Sequence, residues 1–182
     1  MAPKTVQEQP EQAEAPVRVL LPSPLGVLGI ELTGEVLTSL IVVPKGRARR
    51  QFKPFEALKR SERTDFLDET LGRFSEFLAG ARRELEIDYD LGPSGVRGFD
   101  RRVLRETAKV RYGRTRTYQQ IAAAAGNASA YRQVLAVLQS NPLPLVIPCH
   151  RITTVKSGPG SWIGGAKKKA WLLKMEQRGL AV

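Results

Sequence analysis

The first third of the chain alternates short apolar runs with tight turns. The runs occupy residues 17–21, 27–32 and 35–43, and the turns occupy residues 22–26 and 33–34. Apolar, β-branched runs of this length joined by short turns predict a small antiparallel sheet. Residues 61–78 then carry apolar side chains at helical spacing and Gly80 follows, which predicts a helix. Residues 84–91 could form a further strand.

The second half of the chain has the spacing of short helices. One apolar face over residues 99–110 predicts the first of them, with arginines on its other face. Thr117 is a suitable N-cap for a helix over residues 118–125, and Gly126 and Asn127 make a turn after it. A second helix over residues 128–140 ends before Pro142 and has an apolar side formed by Tyr131, Val134, Leu135 and Leu138. Two short helices around a glycine-containing turn predict a helix-turn-helix.

The charge is divided between the two halves of the chain. Of the 182 residues, 1–97 hold 14 Lys/Arg and 15 Asp/Glu, whereas 98–182 hold 15 and 3, so the net charge of +11 belongs to the C-terminal half. A segregated basic field is typical of a protein that binds a phosphate backbone. The change follows a Gly-Pro-Ser-Gly turn, so we expect a tail at residues 1–16, an N-terminal domain at 17–95 and a DNA-binding domain at 98–182.

The composition also indicates a compartment. A single cysteine favours a reducing environment, because small secreted domains usually carry paired cysteines. The first residues lack the apolar stretch of a signal peptide, and no run approaches the length of a membrane span. We therefore expect a cytoplasmic, nucleoid-associated protein that does not bind membranes.

The chain's one cysteine and one histidine are adjacent, at Cys149 and His150, within an apolar segment that Arg151 follows. Nearby cations lower a cysteine pKa and favour the thiolate, although a free cysteine is as often a small buried hydrophobe. One thiol and one imidazole cannot form a tetrahedral zinc site. A cysteine hydrolase is also disfavoured, since its histidine comes from elsewhere in the sequence. We expect neither a metal nor a cofactor.

These motifs occur in a recognisable order. The order runs from Tyr112-Gly113 through Thr117-Tyr118-Gln119-Gln120, Gly126-Asn127, Arg132, Asn141-Pro142 and Pro148-Cys149-His150-Arg151 to Gly164-Gly165 and Glu176. Over residues 99–178 this order resembles the O6-alkylguanine-DNA alkyltransferases. The resemblance implies an α+β fold, with a small ribonuclease-H-like antiparallel sheet and helix followed by a mostly helical, winged helix-turn-helix-like domain that accepts the alkyl group.

The resemblance also implies a reaction and roles for individual residues. An alkylated guanine is flipped out of double-stranded DNA bound through its minor groove, and a monomeric protein takes the alkyl group irreversibly. Cys149 would be the acceptor, activated by His150 through a water, with Glu176 polarising the imidazole and Asn141 bracing the turn before the cysteine. We expect Cys149 and His150 to lie in an extended segment, with side chains on opposite faces. The implied contacts to DNA or the flipped base are Arg132, Tyr118, Arg151, Trp162, Gln119 and Gly164.

Two alternatives stay open at this level. Around Arg132 the family carries small residues, whereas this chain has Tyr131, Gln133 and Leu135, and Trp162 occupies a position where the family has tyrosine. The first alternative is a divergent homologue in which these bulky residues weaken or abolish DNA binding or transfer. The second is a transcription regulator that uses the helix-turn-helix, with Cys149 structural or redox-sensing.

Overall fold

In the described residues of the N-terminal half, a three-stranded antiparallel meander is covered by a helix. The computed structural model describes residues 15–43, 64–154 and 160–180. Strands β1 (Val17–Ser23), β2 (Gly26–Thr33) and β3 (Val36–Val43) pair in that order. Helix α1 (Asp65–Ala79) starts at Thr64, whose hydroxyl caps the amide of Leu67, and ends at Gly80 in a left-handed conformation. Its Phe74 and Phe77 are buried in the core with the strands.

The C-terminal half contains four helices and a two-stranded parallel sheet among the described residues. Helices α2 (Gly98–Ala108), α3 (Tyr118–Ala124) and α4 (Tyr131–Gln139) are followed by a single 3₁₀ turn (Cys149–Arg151) and then by α5 (Ala166–Gly179). Strand β4 (Arg116–Thr117) pairs with β5 (Ile152–Thr153). This pairing places the start of α3 beside the residues that directly follow the 3₁₀ turn.

The two halves share one hydrophobic core. The amide of Leu40 on β3 donates to the carbonyl of Pro142 at 2.8 Å, which ties the sheet to the segment before Cys149. A continuous cluster of buried apolar side chains runs from Val19 to Leu172. The cysteine turn is therefore supported from behind by the N-terminal sheet.

The structure confirms the predicted sheet, the first long helix and the helix pair, with ends that differ by a few residues. The predicted strand at residues 84–91 is wrong, because only Tyr89 forms an isolated bridge, to Leu37. The amide of Asp90 donates to Leu37 and the amide of Leu37 donates to Asp88. The tail predicted at residues 1–16 lies outside the described residues except for Ala15 and Pro16. Among the helices described, none is both long and apolar enough to cross a membrane.

Candidate active site around Cys149

Asn141 builds the turn that leads to the cysteine. Its side-chain amide donates to the carbonyl of Ile147 at 2.9 Å, and its Oδ1 accepts from the amide of Leu143 at 3.0 Å. Within this turn Leu145 has φ of 79°, a left-handed conformation that a bulky residue rarely adopts. Asn141 is 2% exposed. A buried amide that satisfies both ends of a strained turn fixes the direction from which the chain enters Cys149.

Cys149 and His150 lie in a 3₁₀ turn, so the predicted extended segment is wrong at this point. The amide of Arg151 donates to the carbonyl of Pro148 at 2.9 Å, and strand β5 begins only at Ile152. All three side chains of the turn are buried. The tight turn bends the backbone where the sequence indicated alternating strand faces.

Glu176 on α5 joins three segments through one buried carboxylate. His150 Nε2 lies 2.9 Å from Glu176 Oε1, and Arg151 Nε donates to the two carboxylate oxygens at 3.0 and 3.1 Å. The amide of Gly113 also donates, to Oε2 at 3.0 Å. Gly113 has φ of 66°, and a Cβ there would lie 2.3 Å from Leu180 Cδ1, so the position requires glycine.

Arg151 is an internal residue, although the resemblance implied that it contacts DNA. Its side chain is 3% exposed, and besides its ion pair with Glu176 it donates through Nη1 to the carbonyl of Val110 at 2.6 Å. A buried guanidinium needs a partner charge, and Glu176 supplies it. Arg151 therefore holds the carboxylate that faces His150.

Trp162 covers the thiol. Its Nε1–H donates to Cys149 Sγ at 3.1 Å, and the indole stands edge-on to the imidazole of His150. The ring passes so close to Gly164 that a Cβ at that position would lie 2.1 Å from Trp162 Cζ3. Gly164 therefore admits the indole to the site, and Trp162 lies against the sulfur atom.

Lys169 is a buried cation near the thiol that the sequence analysis missed. Its Nζ donates to the carbonyls of Ile152 and, at 3.3 Å, Ser161, and it lies 5.8 Å from the ring centre of Tyr118. These bonds connect the strand after Cys149 to the loop that carries Trp162. Lys169 closes a run of three lysines that resembles a solvated face. The available signal was helical spacing, because Leu172 and Glu176 follow it by three and seven residues.

Burial is the main influence on the pKa values of the titratable groups in the site. Burial raises the pKa of Cys149, although hydrogen bonds from Asn141 and Trp162 and the charge of Lys169 oppose it. The resting form is therefore the neutral thiol, contrary to the thiolate that the adjacent cations suggested. Burial lowers the pKa of His150 more than Glu176 raises it, so the imidazole is neutral near pH 7. Burial would raise the pKa of Glu176, but the hydrogen bond from His150 and the charge and hydrogen bonds of Arg151 hold it below its ordinary value.

Burial also shifts the pKa values of Lys169 and Tyr118. It lowers the pKa of Lys169 to about 8, against the opposing effect of Cys149. Burial raises the pKa of Tyr118, so its hydroxyl keeps its proton at neutral pH and can donate a hydrogen bond. At neutral pH the site thus holds a neutral thiol, a neutral imidazole and a protonated phenol.

Helices α3 and α4 stand beside this pocket. Thr117 is the N-cap of α3, as the sequence predicted, and it also forms a reciprocal capping box with Gln120. Tyr118 is buried, whereas Gln119 and Arg132 are exposed. A cavity of about 190 Å³ lies between the two helices and the Trp162 loop. It is lined by Tyr118, Gln119, Tyr131, Leu135, Thr154 and Ser161.

Two side chains predicted for the apolar side of α4 lie outside the core. Tyr131 is 39% exposed and Leu135 is 37% exposed, while Val134, Val137 and Leu138 form the buried face. Gln133 turns away from both and donates to Asp100 on α2 at 3.0 Å.

The structure thus brings most of the predicted site residues together. Trp162 and Asn141 form hydrogen bonds with Cys149, and Tyr118 lies close enough to interact with it electrostatically. Glu176 bonds to the neighbouring His150, and Gly164 packs against Trp162. Arg132 and Gln119 lie on the adjoining surface of the helix pair. In the described residues no group of three His, Cys, Asp or Glu side chains could hold a metal ion. This arrangement defines a protein with one buried thiol beside a pair of short helices.

The comparisons with known proteins agree with this class. A family model described as the DNA-binding domain of 6-O-methylguanine DNA methyltransferase matches residues 98–178. A methylated-DNA–protein-cysteine methyltransferase from Methanosarcina barkeri is 33% identical over 114 residues, which cover 58% of this chain and 72% of that protein. The human enzyme of that name is 43% identical over 79 residues, 43% of this chain and 38% of the human one.

The solved structures extend the match to the N-terminal half. The O6-methylguanine methyltransferase of Mycobacterium tuberculosis superimposes with a TM-score of 0.72 at 25% identity, over 90% of this chain and 94% of that one. A structure of the M. tuberculosis protein in complex with DNA gives a TM-score of 0.69 at 26% identity, over 89% and 93% of the two chains. The chain belongs to the methylated-DNA–protein-cysteine methyltransferase family. Its matches span only 38% to 53% of the human, mimivirus and Methanothermobacter relatives. Neither the divergent homologue nor the transcription regulator is favoured by these matches.

Proposed function

We propose that this protein repairs DNA by direct reversal, as a methylated-DNA–protein-cysteine S-methyltransferase. In one irreversible turnover it moves an alkyl group from O6 of guanine in double-stranded DNA to Cys149. The observation that carries the proposal is the buried thiol of Cys149, which accepts a hydrogen bond from Trp162 and is adjacent in the chain to the His150–Glu176 pair. The relatives' names support the choice of substrate.

His150 has the tautomer that a general base needs. Because Nε2 lies 2.9 Å from an ionised carboxylate, that nitrogen carries the proton and donates a hydrogen bond to Glu176. The lone pair is therefore on Nδ1, which is buried and has no hydrogen-bond partner among the residues described. A water between Nδ1 and Sγ would pass the thiol proton to the imidazole. Since the resting thiol is neutral, this proton transfer precedes attack.

The transfer itself is a displacement at the alkyl carbon. The Cys149 thiolate forms an S–C bond as the C–O6 bond breaks, and the bonding electron pair stays on the guanine oxygen. The guanine anion then takes up a proton from solvent and is left as an ordinary base, while the proton lost by the thiol passes from His150 to solvent. Tyr118 can donate a hydrogen bond to the departing base. The product is a thioether with no leaving group, so no second step restores the thiol.

Delivery of the base involves the helix pair. The alkyl carbon is inside the stack, so the guanine must leave the duplex before it reaches a thiol that is 2% exposed. Arg132 on the outer face of α4 would occupy the gap left by the base. The basic C-terminal half supports binding to phosphates, and we place α4 in the minor groove, with Gln119 at the edge of the pocket.

The same proposal includes the finer architecture. We assign residues 17–95 to a ribonuclease-H-like unit and residues 98–182 to a winged helix-turn-helix-like unit that acts as a monomer in a cytoplasmic, nucleoid-associated setting. The three-stranded meander with α1 supports the first unit. The α3–α4 pair and the β4–β5 sheet support the second.

Intact mass spectrometry tests the proposed function. The protein is incubated with excess duplex that contains one O6-methylguanine, and we expect the mass to rise by one methyl group per molecule and then to stop. Cys149→Ser, which has nearly the same shape, should gain nothing. An unchanged wild-type mass under excess lesion would refute the proposal.

A further inference from the structure

Helix α4 exposes two large apolar side chains next to Arg132. Tyr131 and Leu135 are one helical turn apart and 39% and 37% exposed. At about 100° per residue, Tyr131, Leu135 and Arg132 fall within an arc of roughly 100° on the helix. The Arg132 guanidinium carbon lies 5.7 Å from the centre of the Tyr131 ring, so the cation is supported on the aromatic face. We call Tyr131 and Leu135 the apolar ridge.

The apolar ridge is anchored at both ends of its helix. Gln133 donates to Asp100 on α2 at 3.0 Å, and Gln139 donates to Ser161 Oγ at 3.1 Å in the Trp162 loop. The ridge also lines the cavity that Tyr118 borders. It is therefore held in a fixed position beside a cavity that Tyr118 and Ser161 also line.

The chemistry of the ridge selects its partner within DNA. Phosphates offer negative charge, which an aromatic ring and an isobutyl group cannot neutralise. The faces of unstacked bases are the large apolar surfaces that DNA can offer, and side chains of this kind do enter base steps from the minor groove. The basic C-terminal half provides the attraction to phosphate that brings such a surface onto the duplex.

We propose that the apolar ridge inserts into the base stack next to the lesion and covers the base faces exposed when the alkylated guanine leaves. The inference rests on the proposed function. It means that Tyr131 and Leu135, as well as Arg132, stabilise the opened duplex. Transfer from a stable, matched duplex then depends on the ridge more strongly than transfer from DNA that is already open. The apolar ridge is thus the part of this protein that keeps the duplex open around the lesion.

The test compares methyl transfer rates to Cys149 from three substrates. They are O6-methylguanine paired with cytosine in a duplex, the same lesion opposite an abasic site, and the lesion in single-stranded DNA. For Tyr131→Ala/Leu135→Ala we expect a loss of about tenfold or more on the matched duplex, consistent with the strength of base–aromatic stacking. This loss should exceed the loss on each open substrate at least fivefold.

Matched variants separate insertion from a general loss of stability. Tyr131→Phe keeps the stacking face and should retain most of the matched-duplex rate. Tyr89→Ala removes a tyrosine of similar exposure, 38%, from the N-terminal half and should behave as wild type. Equal losses on the three substrates would overturn the inference, and so would a faster rate on the matched duplex, which would make the ridge an obstacle.

A binding measurement keeps the two proposals apart. In Cys149→Ser, 2-aminopurine placed next to the lesion should become brighter when the protein binds, and the double substitution in the ridge should remove at least half of that increase. An increase that is unaffected by the substitution would refute insertion. Absence of transfer by the wild type on all three substrates would refute the proposed function, while the fluorescence would still decide the role of the ridge.

Discussion

Replacement of Glu176 by glutamine tests whether this carboxylate both stabilises the fold and supports His150 as the general base. The carboxylate is fully buried and accepts from Arg151 Nε at 3.0 Å, Arg151 Nη2 at 2.9 Å and the Gly113 amide at 3.0 Å, with His150 at 2.9 Å. Glutamine keeps the shape but removes the charge and turns one acceptor into a donor. Loss of one partner from a buried ion pair costs about 3–5 kcal/mol. For a chain of this size that corresponds to a fall in Tm of roughly 6–20 °C.

The same substitution should alter catalysis at temperatures where the variant is folded. Glu176 raises the pKa of His150, so its removal lowers that pKa further and moves the acid limb of the transfer rate to lower pH. A weaker and less well oriented base should also slow transfer by about tenfold or more, since a positioned general base contributes roughly 10²–10⁴. Calorimetry and single-turnover transfer rates measure the two effects.

A surface carboxylate gives the control for Glu176→Gln. Glu69 pairs with Arg73 across one turn of α1 and is 61% exposed, and exposed pairs of this kind contribute about 0–1 kcal/mol. Glu69→Gln should therefore leave both the Tm and the pH profile near those of the wild type. If Glu176→Gln matched it in both, the carboxylate would not be the partner of Arg151 and His150 that we describe.

Three further substitutions test the walls of the pocket. Gly164→Ala places a Cβ 2.1 Å from Trp162 and should cost about 1–3 kcal/mol of stability by overpacking and slow transfer, whereas Gly72→Ala in α1 meets nothing within 4 Å and should be neutral or stabilising by denaturant unfolding. Trp162→Phe removes the N–H that favours the thiolate, so the pKa of Cys149 should rise and its alkylation by iodoacetamide at pH 7 should slow by about tenfold, given roughly 1.5–3 kcal/mol for a charged hydrogen bond; an unchanged rate would remove the indole from the mechanism. Lys169→Met removes the cation near the thiol and leaves buried carbonyls without their donor, so transfer should slow and Tm should fall; a fall in Tm alone would make Lys169 purely structural.

The local signals of the chain were sufficient where short-range geometry decides the structure. Alternating runs and turns predicted the meander, and Thr117 predicted the start of α3, because capping depends on residues within one turn. The resemblance implied that Cys149, His150 and Glu176 belong to one site, although 26 residues separate the last two. That contact comes from the packing of α5 against the 3₁₀ turn, which no local pattern specifies.

The errors came from residues whose environment is set by tertiary packing. Arg151 reads as a surface cation in the sequence, but the buried carboxylate of Glu176 makes an internal position stable. Lys169 was not recognised within its run of lysines, and Tyr131 and Leu135 were predicted on the apolar side of an amphipathic helix. In each case the amino-acid type suggested a buried or an exposed position, and the orientation of the helix or turn produced the opposite one.

The most direct test of the account follows the methyl group itself. Duplex carrying O6-methylguanine with an isotopically labelled methyl group is incubated with the protein, and the digested protein and the DNA are analysed by mass spectrometry. We expect the label on the peptide that contains Cys149, with one unmodified guanine restored for each labelled protein molecule. Label released to solvent, or found on another residue while Cys149 stays unmodified, would contradict the account.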